Sequence, residues 1–246
     1  MVEHTTRERV DAFWAKTLGS SVADLHAPGV RVSPNRLDRE SWRGIYVFGF
    51  EGVTINVPMD MLESVTSAVV GHDAESLLEP KTWQEFLGEQ ARSAWGPVMH
   101  YYRDRLDGLD EMAAGRRLNP RDAEAIAALR SALPFYEWGV TGFTAQTAML
   151  FGIFEGDKLV AAANLTPGPD AATDVGFVIH PDARGRGYGL QIAALAARQA
   201  IRMHGVARYR ALTSSPSTMA IADKLGFAPY GRNVVVYLND SLMMMA

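Results

Sequence analysis

A chain of 246 residues is long enough for one large domain or two small ones, either with a real core. With 48% hydrophobic residues, 21% charged residues and a net charge of −4, it reads as an ordinary globular protein with no bias toward nucleic acid or other polyanions. It has no cysteine, which excludes disulfides, zinc–thiolate sites and a cysteine nucleophile.

The charged start MVEHTTRERVDAFW lacks the apolar stretch of a signal peptide, and no apolar run approaches the roughly 20 residues that cross a bilayer. A cytoplasmic protein without membrane contact is expected. Thr5 and Glu8 have capping-box spacing, and Val10, Phe13, Trp14 and Leu18 make one apolar face, so a first helix runs to Gly19. Val30 to Ser33 reads as a short strand. Ile45 to Phe50 and Val53 to Val57 read as a hairpin around Glu51-Gly52. Met59 to Val70 predicts a helix, Trp83 to Leu87 a shorter one, and Val98 to Arg103 an aromatic strand. Residues 107 to 118 read as a connector. Asn119 then caps a helix with Pro120 in its first position.

From here the pattern changes. Ala148 to Phe154, Leu159 to Leu165 and Asp174 to His180 read as three strands, separated by a turn at Glu155-Gly156-Asp157 and a loop from Thr166 to Ala171. Gly187 to His204 is a long helix, followed by strand Ala207 to Leu212, helix Ser217 to Leu225 and strand Val234 to Leu238. A meander followed by a helical crossover predicts an α+β sheet with helices packed on it. The boundary falls near residue 110, giving an N-terminal α/β region over 1–110 and a second domain over 111–246. The apolar tail Leu242 to Met245 reads as a frayed end or a small contact, not an anchor.

Arg184-Gly185-Arg186-Gly187-Tyr188-Gly189 lies between a strand and the long helix. Alternate glycines let successive N–H groups turn into one concavity, which suits an anion at a helix N-terminus. A P-loop would need Gly-Lys-Ser/Thr at its end, and a dinucleotide fingerprint would need GxGxxG; neither is present. Residues 183 to 222 carry six arginines (184, 186, 198, 202, 208 and 210) and no acid, an asymmetry that favours a ligand with several phosphates.

The segment Val178 to Gly189 (VIHPDARGRGYG) closely resembles the acetyl-CoA motif of the GNAT N-acetyltransferase superfamily, and Lys224-Leu225-Gly226-Phe227 resembles a second motif of that family. The resemblance covers about residues 135 to 240. It implies a mixed, mostly antiparallel twisted sheet flanked by helices. It also implies acetyl-CoA as acyl donor, with coenzyme A as product. The strand Asp174 to His180 would splay from Ala207 to Leu212. Pantetheine would bond the backbone of Val178 and Ile179, and the amides of Arg184, Gly185, Arg186, Gly187, Tyr188 and Gly189 would hold the pyrophosphate. Ser214, Ser215 and Ser217 would line the other wall, with a hydroxyl of Ser214 or Ser215 available to the cofactor.

The tyrosine that many members use to protonate the thiolate is replaced here by Ala222. Tyr230 is the chosen substitute, with Tyr188 as the other candidate. An acceptor amine must also lose a proton, for which Glu137 and Asp174 are the leading groups, with His180 close by. Trp95, His100, Tyr101 and Tyr102 either line an acceptor pocket or belong to the core. The expected function is transfer of acetyl to a primary amine of a small molecule or protein, by a monomer or homodimer, without metal. The alternative is a non-catalytic acyl-CoA-binding module.

Overall fold

In the computed structural model, residues 2–35, 44–143, 149–167 and 172–239 are described. Along the chain lie α1 (His4–Leu18), α2 (Val22–Leu25), β1 (Val30–Pro34), β2 (Gly44–Gly49), β3 (Val53–Val57), α3 (Leu62–Ala68), α4 (Pro80–Leu87), β4 (Ala91–Arg103), α5 (Leu109–Met112) and β5 (Arg116–Arg117). There follow α6 (Ala123–Ser131), α7 (Phe135–Val140), β6 (Leu150–Glu155), β7 (Lys158–Pro167), β8 (Thr173–Ile179), α8 (Tyr188–His204), β9 (Ala207–Leu212), α9 (Pro216–Lys224) and β10 (Ala228–Leu238). The class is α+β with a mixed sheet, as the chain order of the elements predicts.

Two compact units are built from alternating chain segments. The first comprises residues 2–6, 101–210 and 216–229, and the second residues 7–100, 211–215 and the chain from 230 onward.

In the second unit, the hairpin of β2 and β3 forms with Tyr46 opposite Asn56 and Phe48 opposite Thr54. β1 adds in parallel to β3, and β10 adds antiparallel to β2, with Val234 opposite Val47. Alternation sends Ile45 and Val47 toward a core with Val65, Leu77, Trp83, Val234 and Val236. Phe48 on the opposite face stacks on Trp14 of α1 at 4.2 Å. The buried Trp83 indole donates to the Leu77 carbonyl at 2.8 Å, so its polar atom is satisfied.

In the first unit the strand order is β9-β8-β7-β6-β5, with β8 and β9 parallel and the other pairs antiparallel. Alternation along β8 places Val178 toward Leu129 of α6 and Phe143. Phe177 and Ile179 face α8 instead, where Gly189 lets the helix approach them closely. Gly176 has a similar duty on the α7 side. A Cβ there would overlap the Thr141 carbonyl and the Asn164 side chain.

Several boundaries differ from the expectation. The connector 107–118 contains α5 and β5, because Leu109 is fully buried and Asp110 pairs with Arg198 of α8. Met59–Met61 winds as a tight turn before α3 begins, so 59–70 is not one helix. β4 starts at Ala91, seven residues before the expected Val98, and runs through Gly96-Pro97; a Cβ at Gly96 would lie 2.6 Å from the Asn233 carbonyl oxygen, so glycine is what admits the neighbouring strand. β10 begins six residues earlier than expected, at Ala228 rather than Val234. Ala148, most of the loop from Thr166 to Ala171 and the tail 242–245 lie outside the described residues.

Candidate functional site

β8 is paired along its whole length with β7, from Ala161 opposite Ile179 to Pro167 opposite Thr173. Its other edge pairs with β9 only from Thr173 to Val175, ending at Val175 opposite Tyr209. Beyond that point the two strands part, leaving one edge of Gly176 to Ile179 unpaired among the described residues. Which backbone groups face the gap follows from the ladder. His180 donates its N–H to Val160 of β7, and Thr173 donates to Val206 on the opposite side. In an antiparallel ladder the direction alternates. The N–H and C=O of Phe177 and Ile179 therefore face the gap, while those of Val178 are committed to β7. Val178 contributes its buried side chain instead. The expectation that Val178 and Ile179 both offer backbone to a ligand thus shifts by one residue, to Phe177 and Ile179.

The glycine loop begins where that edge ends. A short turn over Pro181–Ala183 is capped by His180, whose side chain accepts from the Asp182 N–H at 3.2 Å. Gly185 and Gly187 take φ values of +76° and +86°, which only glycine adopts without strain. Leu190 and Gln191 then bond back to the Gly187 carbonyl as α8 starts. The five intervening N–H groups, from Gly185 to Gly189, find no acceptor among the described residues. Free amides at the head of a 17-residue helix make an anion-binding concavity.

Charge around the loop is arranged differently from its linear pattern. Every arginine of the acid-free run meets an acid from elsewhere. Arg184 pairs with Glu137 at 2.6 Å and Arg186 with Glu155. Arg198 and Arg202 share Asp110 at 2.7 and 3.4 Å, and Arg208 and Arg210 share Asp174. The local excess of positive charge is therefore reduced but not cancelled in the folded unit, since Asp110 and Asp174 each serve two arginines. Glu155 also accepts from the Tyr188 hydroxyl; that bond, then the Arg186 guanidinium, holds its carboxyl below the ordinary range. The same bond raises the Tyr188 phenol, which is thereby engaged at the β6–β7 turn.

Asp174 and Arg208 form a mostly buried two-pronged pair, with Arg208 Nη2 donating to Asp174 Oδ2 at 2.7 Å and Nε to Oδ1. Burial opposes the Arg208 charge, but the hydrogen bond and charge of Asp174, helped by Tyr102, hold its guanidinium above the ordinary value. Arg210 approaches the same carboxylate at 3.2 Å. These residues sit one position before the strands part, so Asp174 ties β8 to β9 at the apex of the gap. Glu137, on α7, is the more accessible carboxylate of the two candidates.

Ala222 is fully buried and its methyl side chain supplies no hydroxyl at that position. Tyr230, Ser214 and Ser215 belong to the second unit. There the Tyr230 hydroxyl donates to Asp11 at 2.6 Å, and Asp11 also contacts His26 at 2.9 Å and Arg7 at 3.3 Å. Ser214 is exposed in the turn after β9, and Ser215 follows, its N–H donating to Leu212. Of the aromatic cluster, His100 is buried against Trp14 at 4.8 Å and bonds Asn233 at 2.7 Å, while Tyr101 and Tyr102 are buried in the first unit. Trp95 is exposed.

Two participants escaped the sequence reading, Phe177 and Glu155, and Arg208 was read only as one of a run of arginines, not as the partner of Asp174. Phe177 was readable from strand alternation once the β7 register was known. The acids pairing the arginines carried no sequence signal, since each is at least 31 residues from its partner.

Residues 110–227 match the family described as "Acetyltransferase (GNAT) family". That stretch of the chain is a domain of the GNAT acetyltransferase family, whose members transfer acyl groups. Similar solved structures include an acetyltransferase of the GNAT family from Colwellia psychrerythraea, 16% identical over 64% of this chain and 61% of that one, with a TM-score of 0.49. Another GNAT-family structure, from Novosphingobium aromaticivorans, is 19% identical over 59% of this chain and 65% of that one, at a TM-score of 0.47. A GCN5-related N-acetyltransferase from Kribbella flavida is 18% identical over 65% and 63%, at 0.43. The chain thus spans less than two thirds of each of these proteins. No curated protein matches it. Among the described residues no helix is long and apolar enough to cross a membrane.

Proposed function

We propose that the protein moves an acetyl group from acetyl-CoA to a primary amine of a small molecule or protein. The observation that carries this reading is the row of unpaired amides from Gly185 to Gly189, set directly after the open edge of β8. Those amides, with Arg184 and Arg186, suit a diphosphate. The outward N–H and C=O groups of Phe177 and Ile179 suit the amides of a pantetheine arm, which can add to a free edge as a strand does. Ser214 or Ser215 is proposed to bond the carrier. When bound, acetyl-CoA supplies an activated thioester carbon for attack by the amine.

We assign proton removal from the amine to Glu137, because the lone pairs of Asp174 are taken up by two guanidiniums. Asp174 is then a positioning residue. Residues 1–110 are proposed to shape the acceptor side or to bind a partner, in a cytoplasmic monomer or homodimer.

A second reading, a non-catalytic acyl-CoA-binding module, is favoured by one observation. Ala222 offers no acid, and the hydroxyl of Tyr230 is engaged with Asp11. Thiol release from acetyl-CoA, followed against metabolite amines, polyamines and a lysine peptide, separates the two. Turnover with an amine supports the enzyme. Binding of coenzyme A with no turnover on any amine supports the module, and no binding defeats both.

A further inference from the structure

The two loop arginines are both held by carboxylates outside the loop, yet the loop's amides are left open. Arg184 Nη2 donates to Glu137 Oε2 at 2.6 Å. The pair lies within reach of solvent, with the Arg184 side chain 49% and the Glu137 side chain 26% exposed. A single-pronged, half-exposed ion pair is weak, whereas a guanidinium beside a phosphate forms charge-assisted, often two-pronged bonds. The contrast with Asp174 is direct. That carboxylate is gripped from two sides and mostly buried, and is built to stay. Glu137 is built to let go.

We propose that the Glu137–Arg184 pair is a displaceable latch: a diphosphate arriving at the glycine loop takes Arg184 and thereby frees the Glu137 carboxylate. The idea rests on the acyl-CoA reading above. Glu137 stands in for the phosphate while the loop is open, and becomes available to an amine only once the donor has bound. Donor binding then precedes acceptor activation. α7 is well placed to transmit this, because its C-cap Thr141 packs its carbonyl against Gly176 of β8, beside the open edge.

The test is a double-mutant cycle read by calorimetric titration of coenzyme A into the full-length protein. Glu137→Gln removes the competitor and is expected to tighten coenzyme A by about two- to fivefold. Arg184→Gln is expected to weaken it. In the Arg184→Gln background, adding Glu137→Gln is expected to change nothing, because there is no longer a latch to open. Melting curves establish that each variant is folded. Equal affinity of Glu137→Gln and the unaltered protein overturns the latch. So does tightening that persists without Arg184, since that would be only the loss of a nearby negative charge. If the unaltered protein fails to bind coenzyme A at all, the acyl-CoA reading itself falls, and the latch with it.

Discussion

Asp174 and Tyr230 show how a residue's partners decide its role. Both are of types that move protons, and both carry bonds suited to holding structure. Replacing Asp174 with Asn leaves the mostly buried Arg208 charge with a neutral partner, and breaking such a pair costs about 3 kcal/mol. Urea denaturation of Asp174→Asn is expected to show a loss of that size. Tyr230→Phe removes one hydrogen bond to a carboxylate, worth about 1.5–3 kcal/mol of stability. Its kcat for the proposed acetyl transfer is expected to stay within about twofold of the unaltered protein; a drop of about a hundredfold, typical of a lost general acid, would restore Tyr230 to the chemistry. Neither partner was visible in the sequence. Asp11 lies 219 residues from Tyr230, and Arg208 lies 34 from Asp174.

At the scale of elements, local chemistry was far more legible. Glycine spacing between a strand and a helix announced the turn at Gly185 and Gly187, because positive φ is a local requirement. Gly187→Glu puts a strained residue and a negative charge into the amide concavity, and coenzyme A affinity measured by titration is expected to fall by at least about a hundredfold. Asn119 was equally legible as the start of a helix. It accepts from Arg121, and Asp122 reaches back to the Asn119 N–H at 2.8 Å. The Arg116 guanidinium beside Asp122, followed by that N–H, holds the Asp122 carboxyl down at about 2, against an ordinary 3.8. The stability it contributes is therefore complete above pH 3.8 and is lost as pH falls through about 2. Acid unfolding followed by circular dichroism is expected to lose that part of its pH dependence in Asp122→Asn. What the sequence hid at this scale was length: β4 and β10 outrun their apolar cores because pairing continues where hydrophobic patterning stops.

For the whole molecule, the sequence placed the change of pattern near residue 110, while the compact units exchange segments after residues 6, 100, 210, 215 and 229. Contacts between distant segments decide such membership, and no local signal reports them. Tyr101 to Arg103 belong with the glycine loop's unit, where the Arg103 guanidinium donates to the carbonyls of Leu225 and Asp107. A polypeptide starting at residue 111 would lack those bonds and the Asp110 that holds Arg198. It is expected to melt at least about 10 °C below the full chain, measured by scanning calorimetry, since several partly buried polar groups lose their partners at once.

The pairing of β2 with β10 bears on how the protein is made. Gly49 meets Arg232 and Gly44 meets Tyr237, so the hairpin formed early in synthesis has a partner that the ribosome delivers about 180 residues later. At roughly 5–20 residues per second, that is a wait of about 10–40 s. During it, Ile45, Val47 and Phe48 sit on an uncovered strand edge in a nascent chain, the kind of surface that chaperones hold and that aggregates when they do not. Expression at lower temperature or with added chaperone should therefore raise the soluble yield of this protein more than that of a variant reordered so that β10 precedes β2.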